Sequence, residues 1–208
     1  STGSRSLDRI LQGLMTGDNL VWQVGTAEDY RPFTQAFAAG AARSGRRVVY
    51  FRFATHDPLL TEEDGAEVHR LEPGRGFESF VTAIHSVIRE AGRQAVYVFD
   101  CLSELAVDWC SDRMLGNFFM LTCPYVYERG AAAYFALLRN RHSFHAVEPV
   151  KRTTQVLLDV YRLEDTLYVH PLKVEYRYSE TMHMLYRLGE DGFAPVAHSA
   201  EVADAFLT

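Results

Sequence analysis

The chain has 208 residues and a mass of 23.6 kDa, and its 48% apolar and 23% charged content excludes a disordered tail, a collagen-like fibre and a coiled coil. Twenty-seven acidic against 21 basic side chains leave a net charge of −6, which argues against wholesale wrapping of nucleic acid and leaves room only for a local basic patch. No apolar run approaches the roughly 20 residues that cross a bilayer, and three cysteines (Cys101, Cys110, Cys123) without a C-x-x-C predict a reducing, cytoplasmic setting off the membrane.

Residues 1–9 lack the apolar stretch of a secretion signal. The first strong signal is Asn19–Val24, an apolar run between Gly17 and Gly25 that predicts a buried strand. Phe33, Phe37 and Ala41 recur at four-residue steps and predict a helix over 30–43, ended by Ser44 and Gly45. Residues 47–53, RVVYFRF, predict a second strand, and 68–71 a short, weaker one. Phe80, Val81, Ile84, Val87 and Ile88 form one stripe of a helix over 77–91, stopped by Gly92. Residues 94–100, QAVYVFD, predict another buried strand that ends on a carboxylate. A helix over 112–127 follows, which Pro124 is expected to kink or end, and then a strand over 131–138.

Beyond about residue 147 the texture changes. Residues 155–162 and 166–173 predict one hairpin, and 182–188 and 193–196 a second around the turn 189–192. Residues 199–207 read as the start of a helix. The whole predicts a single α/β domain over 1–208, with a parallel core at about 18–146 and an antiparallel hairpin extension at about 147–197.

Ligands of an open parallel sheet collect beyond the carboxyl ends of its strands, so four segments carry the candidate site: 25–31, 54–57, 100–104 and 139–145. The first lies where a phosphate loop would sit, and contains Thr26, Glu28, Asp29 and Arg31. It has one glycine, no lysine and two carboxylates, whereas such a loop needs glycines, a lysine and a Ser/Thr. Two like charges about 4 Å apart repel by roughly 4 kcal/mol at an effective dielectric of 20, so Glu28 and Asp29 oppose a triphosphate, with Arg31 in part compensating. His56 with Asp57 and Pro58 predicts a turn rather than a catalytic pair. Asp100 stands where nucleotide hydrolases hold a magnesium-bound water; without a lysine loop beside it, capping of the next helix is the favoured role, with Ser103 and Glu104 following. Arg139, Arg141 and His142 belong to the densest basic cluster and could clamp an anion or an acidic neighbour. His142 and His145 have no partners spaced to complete a metal site, so none is expected.

The opening Ser1-Thr2-Gly3, then Leu7-Asp8-Arg9-Ile10-Leu11, Gly13-Leu14 and Gly17-Asp18, resembles KaiC-like members of the RecA superfamily. The likeness continues through Val48-Val49-Tyr50-Phe51, through Val98-Phe99-Asp100-Cys101-Leu102-Ser103 at the family's Walker B strand, and to Leu172-Lys173-Val174 near the carboxyl end. It implies a RecA-like three-layer sandwich, ATP hydrolysis and ring-shaped oligomers. Against that pattern, the Walker A lysine and Ser/Thr are missing from 25–31, Ala54-Thr55 replace the paired glutamates that would activate water, and Glu175 replaces a basic residue. The expectation is therefore a pseudo-ATPase with neither ATP nor magnesium as cofactor. The phrases GDNLVWQV, VVYFRF and the stretch 112–146 also resemble the amino-terminal accessory region of some bacterial proteins similar to phosphoenolpyruvate synthase or pyruvate, phosphate dikinase. That likeness implies self-association or docking on catalytic domains. Two alternatives stand beside it: an enzyme or ligand-binding domain with a rebuilt site using Asp29, Arg31, Asp100, Glu104, Arg139 and His142, with residual nucleotide binding through Asp100, and, with weaker support, a nucleic-acid-binding domain.

Overall fold

A computed structural model describes residues 1–207. In chain order its elements are α1 (Arg5–Leu11), β1 (Asn19–Val24), α2 (Ala27–Arg43), β2 (Arg47–Arg52), β3 (Ala66–Arg70), α3 (Phe77–Ala91), β4 (Ala95–Cys101) and α4 (Ser103–Asp108). These are followed by α5 (Asp112–Glu128), β5 (Ala132–Leu138), α6 (Phe144–Thr153), β6 (Val156–Leu163), β7 (Thr166–Val174), β8 (Tyr186–Gly189), β9 (Gly192–Pro195) and α7 (Ser199–Phe206).

All nine strands join one sheet in the order β3-β2-β4-β5-β1-β6-β7-β8-β9. The pairs from β3 through β6 are parallel and those from β6 to β9 antiparallel, so the fold is α/β with a mostly parallel mixed sheet. Strand alternation assigns the two cores. Leu20, Trp22 and Val24 of β1 and Tyr134 of β5 pack with Tyr30, Phe33 and Phe37 of α2 and with Leu7 and Leu11 of α1. Val21, Phe51, Phe99 and Phe135 face the other way, onto Ile84 of α3, Phe118 and Phe119 of α5 and Val150 of α6. Central strands covered on both faces explain why their sequences are continuous apolar runs.

Several boundaries differ from expectation. The parallel core does not end near residue 146: α6 is a crossover helix, and β6 pairs in parallel with β1 before it turns into β7. α5 runs through Pro124 to Glu128. A proline removes one intrahelical bond, and Thr122, Cys123 and Val126, buried around it, hold the helix against the sheet. Residues 182–185 lie outside β8, so the second hairpin is shorter than predicted. α1, α4 and α6 were not foreseen; the first two span only 7 and 6 residues, too short for a clear apolar period.

Gly40 sits inside α2 where a helix would favour alanine by about 1 kcal/mol. A Cβ there would meet the Cα of Gly3 at 2.7 Å, because the amino-terminal segment crosses the helix at this point. Gly40→Ala is therefore expected to destabilise the protein by a net ~1 kcal/mol, overpacking outweighing propensity. Urea denaturation measures it, and a rise in midpoint would contradict the close approach.

Candidate functional site

The four predicted segments all lie at the carboxyl edge of the parallel strands, and the structure settles them into separate polar groups. The first is the start of α2. Thr26 is its N-cap, with extended backbone, and the Asp29 carboxylate turns back to accept the Thr26 N–H at 3.0 Å and the Thr26 hydroxyl at 3.1 Å. The other oxygen of Asp29 accepts Nε of Arg162, from the end of β6, at 2.5 Å. Asp29 is only 3% exposed. A helix amino terminus attracts negative charge through its free N–H groups and dipole; here the protein supplies that charge itself. The position a phosphate would take is filled by a carboxylate. Glu28 does not share this role: it lies at the surface, paired with Arg31 through two hydrogen bonds of 2.9 and 2.8 Å, which holds its carboxyl below the usual range. Arg31 spends a further N–H on the Pro58 carbonyl.

The second group surrounds Asp100, fully buried at the end of β4. A register shift between Val98 and Cys101 marks a bulge at this point. One carboxylate oxygen accepts the Tyr50 hydroxyl. The other accepts Arg52 Nη1 at 2.9 Å and the N–H groups of Phe53 and Ala54 at 2.7 and 2.8 Å. Asp100 thus pins the segment leaving β2 and does not cap the helix that follows it, contrary to the sequence reading. The pairing of β2 with β4 brings those donors to the carboxylate. Burial beside this carboxylate pushes the Tyr50 hydroxyl far above its ordinary pKa. His56 lies in an irregular bend, with Nδ1 2.8 Å from the Asp57 carbonyl and Nε2 3.8 Å from Asp100. Glu104 accepts the Thr55 hydroxyl at 3.1 Å and so ties α4 to the same bend. Burial also pushes the adjoining Cys101 thiol up to about 11, which keeps it protonated and unreactive at neutral pH.

The third group joins Ser103 to His142. Ser103 Oγ lies 2.6 Å from His142 Nε2, and His142 Nδ1 lies 2.8 Å from Asp112 Oδ1. Ser103 Oγ also accepts the Leu138 N–H at 2.8 Å, and Asp112 Oδ2 accepts the Ser143 N–H at 2.9 Å. The series links α4, α5, the end of β5 and the start of α6. Both Ser103 and the His142 ring are buried, so the set works as a latch that closes the loop after β5 onto two helices. Its order of groups is also that of a nucleophile, a base and an orienting acid.

The His142 imidazole and the Ser143 N–H hold the Asp112 carboxyl below the usual carboxylate range. A depressed carboxyl pKa contributes stability above the unfolded value of ~3.9 and loses it as pH falls through the folded value. Asp112→Asn is therefore expected to flatten the stability profile below about pH 4, as read by urea midpoints across that range.

Arg139 and Arg141 do not join these groups. Arg139 donates to the Val160 carbonyl at 3.0 Å and stacks its guanidinium 4.1 Å from the Tyr161 ring centroid, while Arg141 is exposed. Sequence reasoning missed Tyr50, Arg52, Asp112 and Arg162, the partners that consume the candidate residues. All four are distant in the chain from the candidate side chains they bind, Asp100, His142 and Asp29, and no local pattern marks them. Lys173 donates to the carbonyls of Lys151, Arg152 and Thr154 at the end of α6 and pairs with Glu175 at 2.9 Å. No helix among the described residues is long and apolar enough to cross a membrane. No family model matches the chain, and no curated protein matches it.

Proposed function

We propose that the chain is a non-hydrolysing, KaiC-like member of the RecA superfamily, a pseudo-ATPase that acts by binding, assembly or regulation. Its partners in this reading are further copies of itself or the catalytic domains of a protein resembling phosphoenolpyruvate synthase or pyruvate, phosphate dikinase. A sheet running β3-β2-β4-β5-β1 in parallel, with helices on both faces, supports the RecA-like assignment alongside the motif resemblance. The observation that carries the loss of hydrolysis is the Asp29 carboxylate at the start of α2, bound to Thr26 and Arg162 where a triphosphate would need N–H groups and an ammonium. Asp100 adds to it, since it is fully buried and accepts hydrogen bonds from Tyr50, Arg52 and the N–H groups of Phe53 and Ala54. The acidic net charge and the scattering of Arg139 and Arg141 speak against nucleic acid.

Calorimetric titration with Mg-ATP tests the reading: no heat and no phosphate release are expected. A micromolar Kd, or turnover abolished by substitution of Asp100, would overturn it.

A second reading, an enzyme with a rebuilt site at the same edge, draws on the Ser103–His142–Asp112 series. Ser103 is buried and its oxygen already receives the Leu138 N–H, which weighs against attack on a substrate. Labelling with a fluorophosphonate probe separates the two: the module reading expects none, and Ser103-dependent labelling would establish the enzyme.

A further inference from the structure

On the α6 side of the sheet, beyond the carboxyl ends of β1, β5 and β6, a cavity of about 360 Å3 opens to the surface. It lies on the opposite face of the sheet from α2 and is separate from the helix terminus that Asp29 fills. Its floor breaks the apolar pattern of two central strands. Gln23 in NLVWQV and Asp159 in VLLDVYRL are register partners on adjacent strands, and they are 7% and 8% exposed. Gln23 donates its side-chain amide to one oxygen of Asp159, and the Tyr161 hydroxyl donates to the other at 3.0 Å.

Those two neutral donors are all that Asp159 receives: among the described residues it forms no ion pair. Buried carboxylates elsewhere in this protein are treated differently. Asp18, Asp29 and Asp100 each have an arginine within 3 Å. An ionised group taken out of water without a counter-charge is costly, and proteins ordinarily supply one. Of the cations on the cavity wall, Arg139 donates to the Val160 carbonyl and stacks on the Tyr161 ring. The walls above the floor mix apolar Leu137, Val147, Leu172 and Phe206 with polar Asn140 and Glu148, and among the described residues Lys151 forms no hydrogen bond or ion pair through its ammonium.

We infer that this cavity binds a small amine-bearing metabolite, whose ammonium sits on Asp159 and whose carbon chain lies against Leu172 and Phe206. The ligand provides the counter-charge that the fold omits. A carboxylate at its far end would find Lys151, so ω-amino acids suit the cavity better than simple amines.

The experiment is calorimetric titration at pH 7 with n-butylamine, 4-aminobutyrate and uncharged n-butanol, on the parent protein and on Asp159→Asn. Binding of both amines is expected at millimolar Kd or tighter, with 4-aminobutyrate the stronger and n-butanol at least ten-fold weaker. Asp159→Asn should lose at least ten-fold in amine affinity while melting no lower than the parent, because it removes an unpaired charge. Should that variant fail to fold, Leu172→Trp, which fills the cavity from a partly exposed position, is expected to abolish amine binding. The inference fails if neither amine binds the parent at 20 mM, if n-butanol binds as tightly as the amines, or if Asp159→Asn or Leu172→Trp binds them like the parent.

Discussion

Asp100→Ala is expected to cost about 3–5 kcal/mol of folding stability, the range for removing one partner of a buried ionic network. The reason is the number of donors left behind. Tyr50, Arg52 and the N–H groups of Phe53 and Ala54 all end on this one carboxylate, which has no exposure to water. Each orphaned donor carries its own desolvation cost, and water has no route to replace the carboxylate. For a chain of this size that loss lowers the melting temperature by roughly 10 °C. Asp100→Asn should be almost as damaging, since its NH2 group would face donors. Differential scanning calorimetry decides the matter. A small change in either variant would mean that Asp100 is held for ligand binding and not for structure.

Asp29→Ala is the second large effect, and it separates stability from ligand binding. Loss of the carboxylate at the start of α2 should cost about 1–2 kcal/mol, the upper range for a helix cap. The lost pair with Arg162 adds little, because the Arg162 side chain is 41% exposed and its charge is screened. The substitution also vacates the helix amino terminus and frees the Arg162 guanidinium beside it. Inorganic phosphate at 10 mM is therefore expected to raise the melting temperature of Asp29→Ala by a few degrees and to leave the parent unchanged. Equal shifts in both proteins would show that the carboxylate is not what keeps anions out.

Both predictions turn on partners that local sequence does not reveal. Asp29 and Thr26 were legible as polar residues at a strand end, and the electrostatic objection to a triphosphate followed from the adjacent carboxylates of Glu28 and Asp29. That the pair is tied to Arg162, 133 residues away, was not. Asp100 was legible as a strand-terminal acid, yet its role was misassigned, because capping of the next helix is the nearest local use of such a residue. Its actual partners come from β2, which the fold places beside β4. Gln23 and Asp159 did leave a signal, as polar letters inside apolar strands. It gains meaning only once β1 and β6 are known to be neighbours.

Residues 77–91 and 19–24 were assigned from sequence with the bounds they have in the structure, and most other strands came within two residues. Apolar periodicity and glycine stops are local consequences of burial, so a linear reading recovers them along with the α/β class. Strand order, the crossover through α6 and the pairing of Asp18, Asp29 and Asp100 with arginines depend on contacts between residues far apart in the chain. Those were decided by packing two apolar cores on opposite faces of one twisted sheet, a choice made by the chain as a whole.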